Sequence, residues 1–371
     1  MERRWRILGG CGLIAGIFLF VQLGALALVQ PFESAGYQAV EDPSDPTNSL
    51  MYIGAILVAT AVMLLAFRYD VDQLIRGLIV FSAAWLSLYV FQVLVPPVLT
   101  YAGLNVVAVL LALGLGTALL VYPEWYVIDS AGAVMGAAAA GLFGISFGIL
   151  PSLVLLTVLA VYDAISVYGT EHMLTLASGV MDLKVPVVLV IPMTLSYSYL
   201  DATTPDPTAE DETSDNSPAA ADDAAEGETN TESGADANGT AVADGSQPAD
   251  HPDEATDTGK AGEGGDVHAD PLERDALFIG LGDAIIPSIL VASAAFFASS
   301  DVLSVFGVPL PALTAMIGSY VGLTILLWMV LKGRAHAGLP LLNGGTIAGY
   351  IVGALAAGIS LVDALGLGPY L

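Results

Sequence analysis

Nine runs of roughly twenty mostly apolar residues recur along the chain, at about 8–29, 50–67, 77–95, 102–121, 130–149, 151–169, 276–298, 308–331 and 339–360. A helix must supply about 20 apolar residues to cross a hydrocarbon layer of about 30 Å. Within that layer every backbone amide and carbonyl has to find its partner inside the segment, which runs of this length achieve as helices. Connections are short: the fifth and sixth runs meet at Leu150-Pro151, and the third and fourth are parted mainly by Pro96-Pro97. With 55% hydrophobic residues, 13% charged residues and a mean hydropathy of +0.73, the composition excludes an ordinary soluble domain. The expected fold class is an all-α polytopic membrane protein of about nine transmembrane helices.

The positive charges order these spans. With the N-terminus cytoplasmic, Arg3, Arg4, Arg6, Arg68, Arg76, Lys184, Lys260, Arg274, Lys332 and Arg334 all face inside, and these are all ten Lys and Arg residues. The opposite side carries acids such as Glu41, Asp42, Asp45 and Asp301. Adding or removing one span would scatter the cations to both sides, so the pattern supports nine spans and an outside C-terminus. The first run is too long for a signal-peptide core and is expected to be a retained helix. Cys11, the single cysteine, excludes an internal disulfide or a cysteine metal cluster, and no cofactor or metal is expected.

Residues 201–272 break the membrane pattern. They hold about twenty of the 37 acids and almost no large apolar residue, so they cannot bury enough surface to offset chain entropy. We expect a disordered acidic cytoplasmic loop, dividing the chain into a six-span part (1–200) and a three-span part (273–371). The net charge of −27 is concentrated in this loop, and nothing indicates a nucleic-acid partner. Before the loop, VPVVLVIPMTLSY (185–197) is too short to span and carries Pro186 and Pro192, which predicts a strand or a re-entrant segment.

Two acids lie inside apolar runs: Asp163 in LAVYDAISVYG and Asp283 in LFIGLGDAIIPSIL. A charged carboxylate at bilayer depth costs at least about 2.5 kcal/mol, which marks each as a functional candidate. Two carboxyl groups within hydrogen-bonding distance in a poorly solvated place share one proton, and so provide a base for water and an acid for a carbonyl oxygen. Each acid alone also fits a buried polar residue or an ion ligand, and together they fit a proton or cation site in a transporter or channel. Around Asp283, Gly280, Leu281 and Gly282 permit close backbone approach, and Pro287 deprives the Asp283 carbonyl of its helical amide. Tyr162 places a hydroxyl next to Asp163.

Other protease chemistries fit less well. Gly144-Ile145-Ser146-Phe147-Gly148 matches GxSxG, but His172, His251, His268 and His336 all fall outside the predicted spans. Close helix packing explains its glycines. Glu171-His172 has no second histidine at helical spacing, so a zinc protease is not indicated.

Tyr162-Asp163 in the sixth span, Gly280-Leu281-Gly282-Asp283 in the seventh, nine spans and a long inside loop between them resemble the presenilin and signal peptide peptidase family of GxGD intramembrane aspartyl proteases. The resemblance covers essentially the whole chain outside the loop, and the N-in, C-out arrangement resembles the presenilin branch. It implies a presenilin-like fold, Asp163 and Asp283 as catalytic residues, and transmembrane-helix proteins in the lipid bilayer as substrates. The family's Pro-Ala-Leu motif at the ninth span corresponds in position to Ala337-Gly338-Leu339-Pro340, with the first two residues changed. The literal Pro311-Ala312-Leu313 opens the eighth span and reads as an ordinary helix start. The resemblance also implies that the substrate unwinds and is captured as an added strand, for which 185–197 and the residues before Gly280 are candidates. Prepilin-type peptidases share a GxGD aspartate, but usually carry the other near a cytoplasmic loop.

Overall fold

The computed structural model describes residues 2–69, 71–169, 184–193, 197–200, 276–299, 301–332 and 337–370. These residues fall within one packed unit drawn from both sides of the acidic segment. The expected disordered loop, 201–272, lies outside the described residues, as do the four histidines.

Among the described residues nine long helices follow in order: α1 (Glu2–Ser34), α2 (Thr47–Arg68), α3 (Asp72–Leu94), α4 (Val106–Val121), α5 (Trp125–Ser146), α6 (Ile149–Gly169), α7 (Leu281–Phe296), α8 (Leu310–Val330) and α9 (Gly338–Ala356). A short helix, α10 (Leu361–Ala364), follows. Seven of the nine are long and apolar enough to cross a membrane. The other two, α4 and α7, have 16 residues each, about 24 Å of rise at 1.5 Å per residue.

Both short helices begin later than hydropathy predicts, because extended chain occupies the first part of each apolar run. Before α4, β1 (Thr100–Tyr101) and β2 (Leu104–Asn105) form a hairpin turning at Ala102 (φ +50°) and Gly103 (φ +82°). Before α7 comes β4 (Ala276–Gly280), and before α8 a hairpin of β5 (Ser304–Val305) and β6 (Val308–Pro309) turns at Phe306 (φ +54°) and Gly307 (φ +79°). Two-residue turns with both central φ angles positive match the twist of the flanking strands. The two hairpins repeat one backbone: Leu99 O accepts from Val106 N–H at 2.9 Å, and Leu303 O accepts from Leu310 N–H at 2.8 Å.

Helix α5 is central because its residues are small. Between Ala131 and Gly141 every residue except Val134 and Met135 is Ala or Gly, which lets neighbouring backbones approach closely. A Cβ on Gly24 of α1 would stand 2.8 Å from Ala137 Cβ, and one on Gly144 would collide with Ala292 of α7. The glycines of the GxSxG match thus serve packing, and Ser146 Oγ accepts a hydrogen bond from Ala39 N–H at 3.0 Å. Helix α1 is tied to α8 by Gln22 Nε2 donating to Ser319 Oγ (3.0 Å) and by Tyr320 OH donating to Ala15 O (2.9 Å).

The apolar piece after the sixth span is a strand. β3 (Val188–Pro192) pairs antiparallel with β4, Val188 opposite Gly280 and Pro192 opposite Ala276. Leu281 N–H donates to Val187 O at 2.8 Å, which sets the phase of the ladder. Hydrogen-bonded and non-bonded pairs alternate, so Leu189 with Ile279 and Ile191 with Leu277 exchange bonds. The amides of Val190 and Phe278 turn outward on opposite edges. Leu189 and Ile191 are buried with Ile14 and Phe18 of α1 and Ile128 of α5 in one apolar cluster.

Candidate active site

Strand β4 runs without a break into α7. Gly280 is the N-cap in an extended conformation (φ −60°, ψ 130°), which puts Asp283 in the first helical turn. Leu281, 2% exposed, pins this junction. Its methyl carbons lie 3.5–3.6 Å from where a Cβ would stand on Gly132 or Gly136 of α5. Gly280 and Gly282, by contrast, are exposed, so the backbone flanking Leu281 is bare.

Asp163 of α6 is 6% exposed. It faces the start of α9, where Ala337 is the N-cap (φ −63°, ψ 123°). The first amides of a helix have no partner within it. Here Leu339 N–H donates to Asp163 Oδ2 at 3.0 Å, and the Gly338 amide also bonds to this carboxyl group. Pro340, in the same first turn, has no amide to satisfy. Asp283 meets the same backbone: a Cβ on Gly338 would lie 3.1 Å from its Oδ2 and 3.3 Å from its Oδ1. The two carboxyl groups are close enough for their charges to interact.

The structure therefore brings Asp163, Asp283, Gly338 and Leu339 together, with Ala337 buried beside them and Gly280, Leu281 and Gly282 forming the approach to Asp283. Pro311-Ala312-Leu313 lies elsewhere, in the first turn of α8, where Ala312 packs with Leu290, Val291 and Ala354. Pro287 sits inside the continuous helix α7. Tyr162 is 38% exposed and its hydroxyl finds no partner among the described residues. The phenol that reaches the site belongs instead to Tyr168, whose oxygen accepts from Ala337 N–H at 3.4 Å.

Three residues near the site went unnoticed in the sequence. Tyr168 carries no local signal. Asn343 is an amide in an otherwise apolar span; its Nδ2 donates to Leu156 O at 2.9 Å and fixes α9 to α6 about two turns before Asp163. Asp129 was hidden by a boundary: the fifth span was expected to start at residue 130, whereas α5 starts at Trp125 and buries Asp129 at 6% exposure. Its Oδ1 accepts from Val190 N–H at 2.8 Å.

Just outside the membrane-spanning part of α5, Glu124 holds the chain that follows β3. Its Oε1 accepts from Ser198 OH at 2.7 Å and its Oε2 from Tyr199 N–H at 3.0 Å. Burial pushes its carboxyl up, but these bonds outweigh that and hold it below the ordinary glutamate value. Lys184 Nζ donates to Tyr199 O at 2.7 Å, and the Tyr199 ring lies 6.0 Å from that of Phe278 on β4. Among the described residues no group of three His, Cys, Asp or Glu side chains is placed to hold a metal ion.

A Cβ at position 338 would stand 3.1 Å from Asp283 Oδ2, so alanine, the residue of the Pro-Ala-Leu motif at this position, asks Asp283 to give by a few tenths of an ångström, whereas a branched side chain would displace it. Gly338→Ala is expected to change the rate by no more than about threefold and Gly338→Val to slow cleavage about a hundredfold, since displacements of about 1 Å at reacting groups have effects of this size. Initial rates on a single-span substrate, beside unchanged thermal unfolding, check this.

Residues 15–359 match the family model described as signal-peptide peptidase, presenilin aspartyl protease. One solved structure, a presenilin family intramembrane aspartate protease in space group C222, is similar over 94% of this chain and 99% of its own, at 31% identity and a TM-score of 0.57. The structure of a presenilin family intramembrane aspartate protease in space group P2 is similar over 92% and 95%, at 29% identity and a TM-score of 0.53. Comparison with curated proteins gave no significant match. The likeness thus extends through all the helices that carry and surround the two acids, far beyond a GxGD motif set in an unrelated scaffold, and the chain belongs to the signal peptide peptidase and presenilin family as an intramembrane aspartyl protease.

Proposed function

We propose that Asp163 and Asp283 are the catalytic pair and that they hydrolyse peptide bonds within transmembrane helices of membrane-protein substrates. The observation that carries this is the meeting of both carboxyl groups at the Gly338–Leu339 backbone. One carboxylate takes a proton from water as the water oxygen bonds to the scissile carbon, and the other carboxyl gives its proton to the carbonyl oxygen. The resulting gem-diol collapses with proton transfer to nitrogen and cleavage of the C–N bond. Asp163 Oδ2 is already an acceptor for Leu339 N–H, so proton exchange falls to its Oδ1 and to the oxygens of Asp283. Ala337, Gly338, Leu339 and Pro340 line the substrate's path. The N-terminus and the 201–272 loop face the cytoplasm and the C-terminus faces outside, by the distribution of cations.

A helical peptide hides its carbonyls, so the substrate unwinds, and an exposed strand edge receives it. Of the two strand candidates named from sequence, β4 fits better. Its outward Phe278 amide has no partner among the described residues, and only Leu281 and Gly282 separate Gly280 from Asp283. Purified full-length protein would be incubated in detergent with a single-span peptide, with and without an aspartyl transition-state analogue. Cleavage inhibited by the analogue is expected; ion flux without cleavage would favour transport instead. Phe278→Pro removes the outward donor together with the ring and leaves the bonds between β3 and β4 in place, a substitution edge strands tolerate. It should lower kcat/KM about tenfold, as the loss of one hydrogen bond of about 1.4 kcal/mol does, while Phe278→Ala separates the contribution of the ring. Cleavage by Phe278→Pro at the wild-type rate would remove β4 as the substrate edge.

A further inference from the structure

The two edges of the β3–β4 ribbon are not equivalent. On the β3 edge, the outward Val190 amide meets a side chain in place of a strand: Asp129 Oδ1 accepts it at 2.8 Å. Asp129 Oδ2 is buried and finds no hydrogen-bond partner among the described residues. A carboxyl group held this way in a membrane helix is expensive, because one oxygen is desolvated with nothing in return. A neutral residue could pack there at lower cost, but an aliphatic one would leave the Val190 amide unmade.

The single hydrogen bond that Asp129 makes sits at a mechanically sensitive place. Val190 stands opposite Phe278, in the middle of the five-residue ladder. The ribbon itself is otherwise held by apolar contacts, with Ile191 and Met193 lying beside Gly10 of α1, and by the Arg6 Nε bond to Met193 O at 2.9 Å, while Glu124 at the start of α5 ties down Ser198 and Tyr199 further along the chain beyond β3. Apolar contacts resist separation but slide easily. A hydrogen bond to a side chain fixed on α5 resists sliding along the strand direction. Because β4 continues into α7, any sliding of the ribbon changes where an added strand lies relative to Asp283.

We infer that Asp129 is a positioning residue: it pins the β3–β4 ribbon to α5 and so sets which peptide bond of the substrate is presented to Asp163 and Asp283. This rests on the proposal that β4 receives the substrate. Asp129 touches no reacting group and acts only through the Val190 amide and the ladder behind it.

The test measures product masses together with kcat and KM for full-length protein on one single-span substrate. Asp129→Ala is expected to spread cleavage over neighbouring bonds and to lower kcat about tenfold with KM changed less, as misplacement at the reacting centre does. Asp129→Asn keeps the acceptor oxygen and is expected to restore both the wild-type cleavage position and kcat to within about threefold. A residue that merely stabilised the fold would lower the amount of active enzyme without moving the cut. If the alanine variant does not fold, Asp129→Glu, with the acceptor on an arm one methylene longer, is expected to shift the cleavage positions. Wild-type cleavage positions in Asp129→Ala or Asp129→Glu would overturn the assignment, as would an asparagine variant as dispersed as alanine. Wild-type rates in Phe278→Pro would instead remove β4 itself, so the two failures are distinguishable.

Discussion

Asparagine at position 163 or at position 283 is expected to abolish peptide-bond cleavage, about a thousandfold or more in each single variant, with the double variant little worse than either. The reason is chemical. Hydrolysis needs a base and an acid at the same moment, and one proton shared between two carboxyl groups supplies both. An amide at either position has no proton to exchange, and the remaining carboxyl cannot perform both tasks. Residues that act as a unit lose their joint effect with the first substitution, so the losses do not multiply. The folded state should not suffer: asparagine is close in shape, its oxygen can still accept from Leu339 N–H at position 163, and it removes an acid from an apolar site. The check is product formation from a single-span peptide alongside thermal unfolding. Substantial cleavage by either variant, folded as wild type, would eliminate the pair as catalyst.

The second large effect concerns the seam between α8 and α9. A Cβ on Gly318 would overlap the Gly345 carbonyl oxygen, and one on Gly345 would overlap the Gly318 carbonyl oxygen. A Cβ on Gly322 would overlap Leu341 O, and one on Gly353 would strike Thr314 Oγ1. Most of these obstacles are backbone atoms, which cannot rotate aside as a side-chain end can. Valine at 318 or 345 must therefore part the helices, losing contacts along the seam and dragging α9, with Leu339 at its start, away from Asp163. Overpacking into backbone along a whole helix pair belongs with the most damaging class of substitution, about 4 kcal/mol or more. Loss of monodisperse protein in detergent is the expected result. Gly344→Ala on the same helix meets nothing within 4 Å, and should leave unfolding unchanged or slightly improved.

Hydropathy was enough to find all the long helices among the described residues, because a membrane span announces itself by length and composition. Beginnings were harder. Ala276 to Gly280 is as apolar as the helix it precedes, and an apolar run does not reveal whether it is strand or helix. The β-branched run at Val187–Ile191, flanked by prolines, left a strand and a re-entrant segment both open, and the structure forms the strand, β3. Asp163 and Asp283 were visible as acids out of place. Their partners were not, since the groups that gather them are main-chain amides of Gly338 and Leu339, which every sequence possesses. What pointed there was resemblance to a Pro-Ala-Leu motif of which this chain keeps only the leucine, Leu339, in place. Asp129 shows how one misplaced boundary conceals a buried acid: a span begun at Trp125 instead of residue 130 would have drawn it into the same company as the other two.

Both catalytic candidates stand at the beginnings of helices, Asp283 in the first turn of α7 and Asp163 against the first amides of α9. The start of a helix carries roughly half a positive elementary charge. Two such ends sum to about one, and a carboxyl pair holding a single proton carries one negative charge. The site thus balances its own charge within the apolar interior, and neither aspartate makes an ion pair among the described residues. Such a centre offers little to attract a cationic group. Ligands that bind it well should be neutral hydroxyl-bearing mimics of the gem-diol, with protonated amines gaining no advantage.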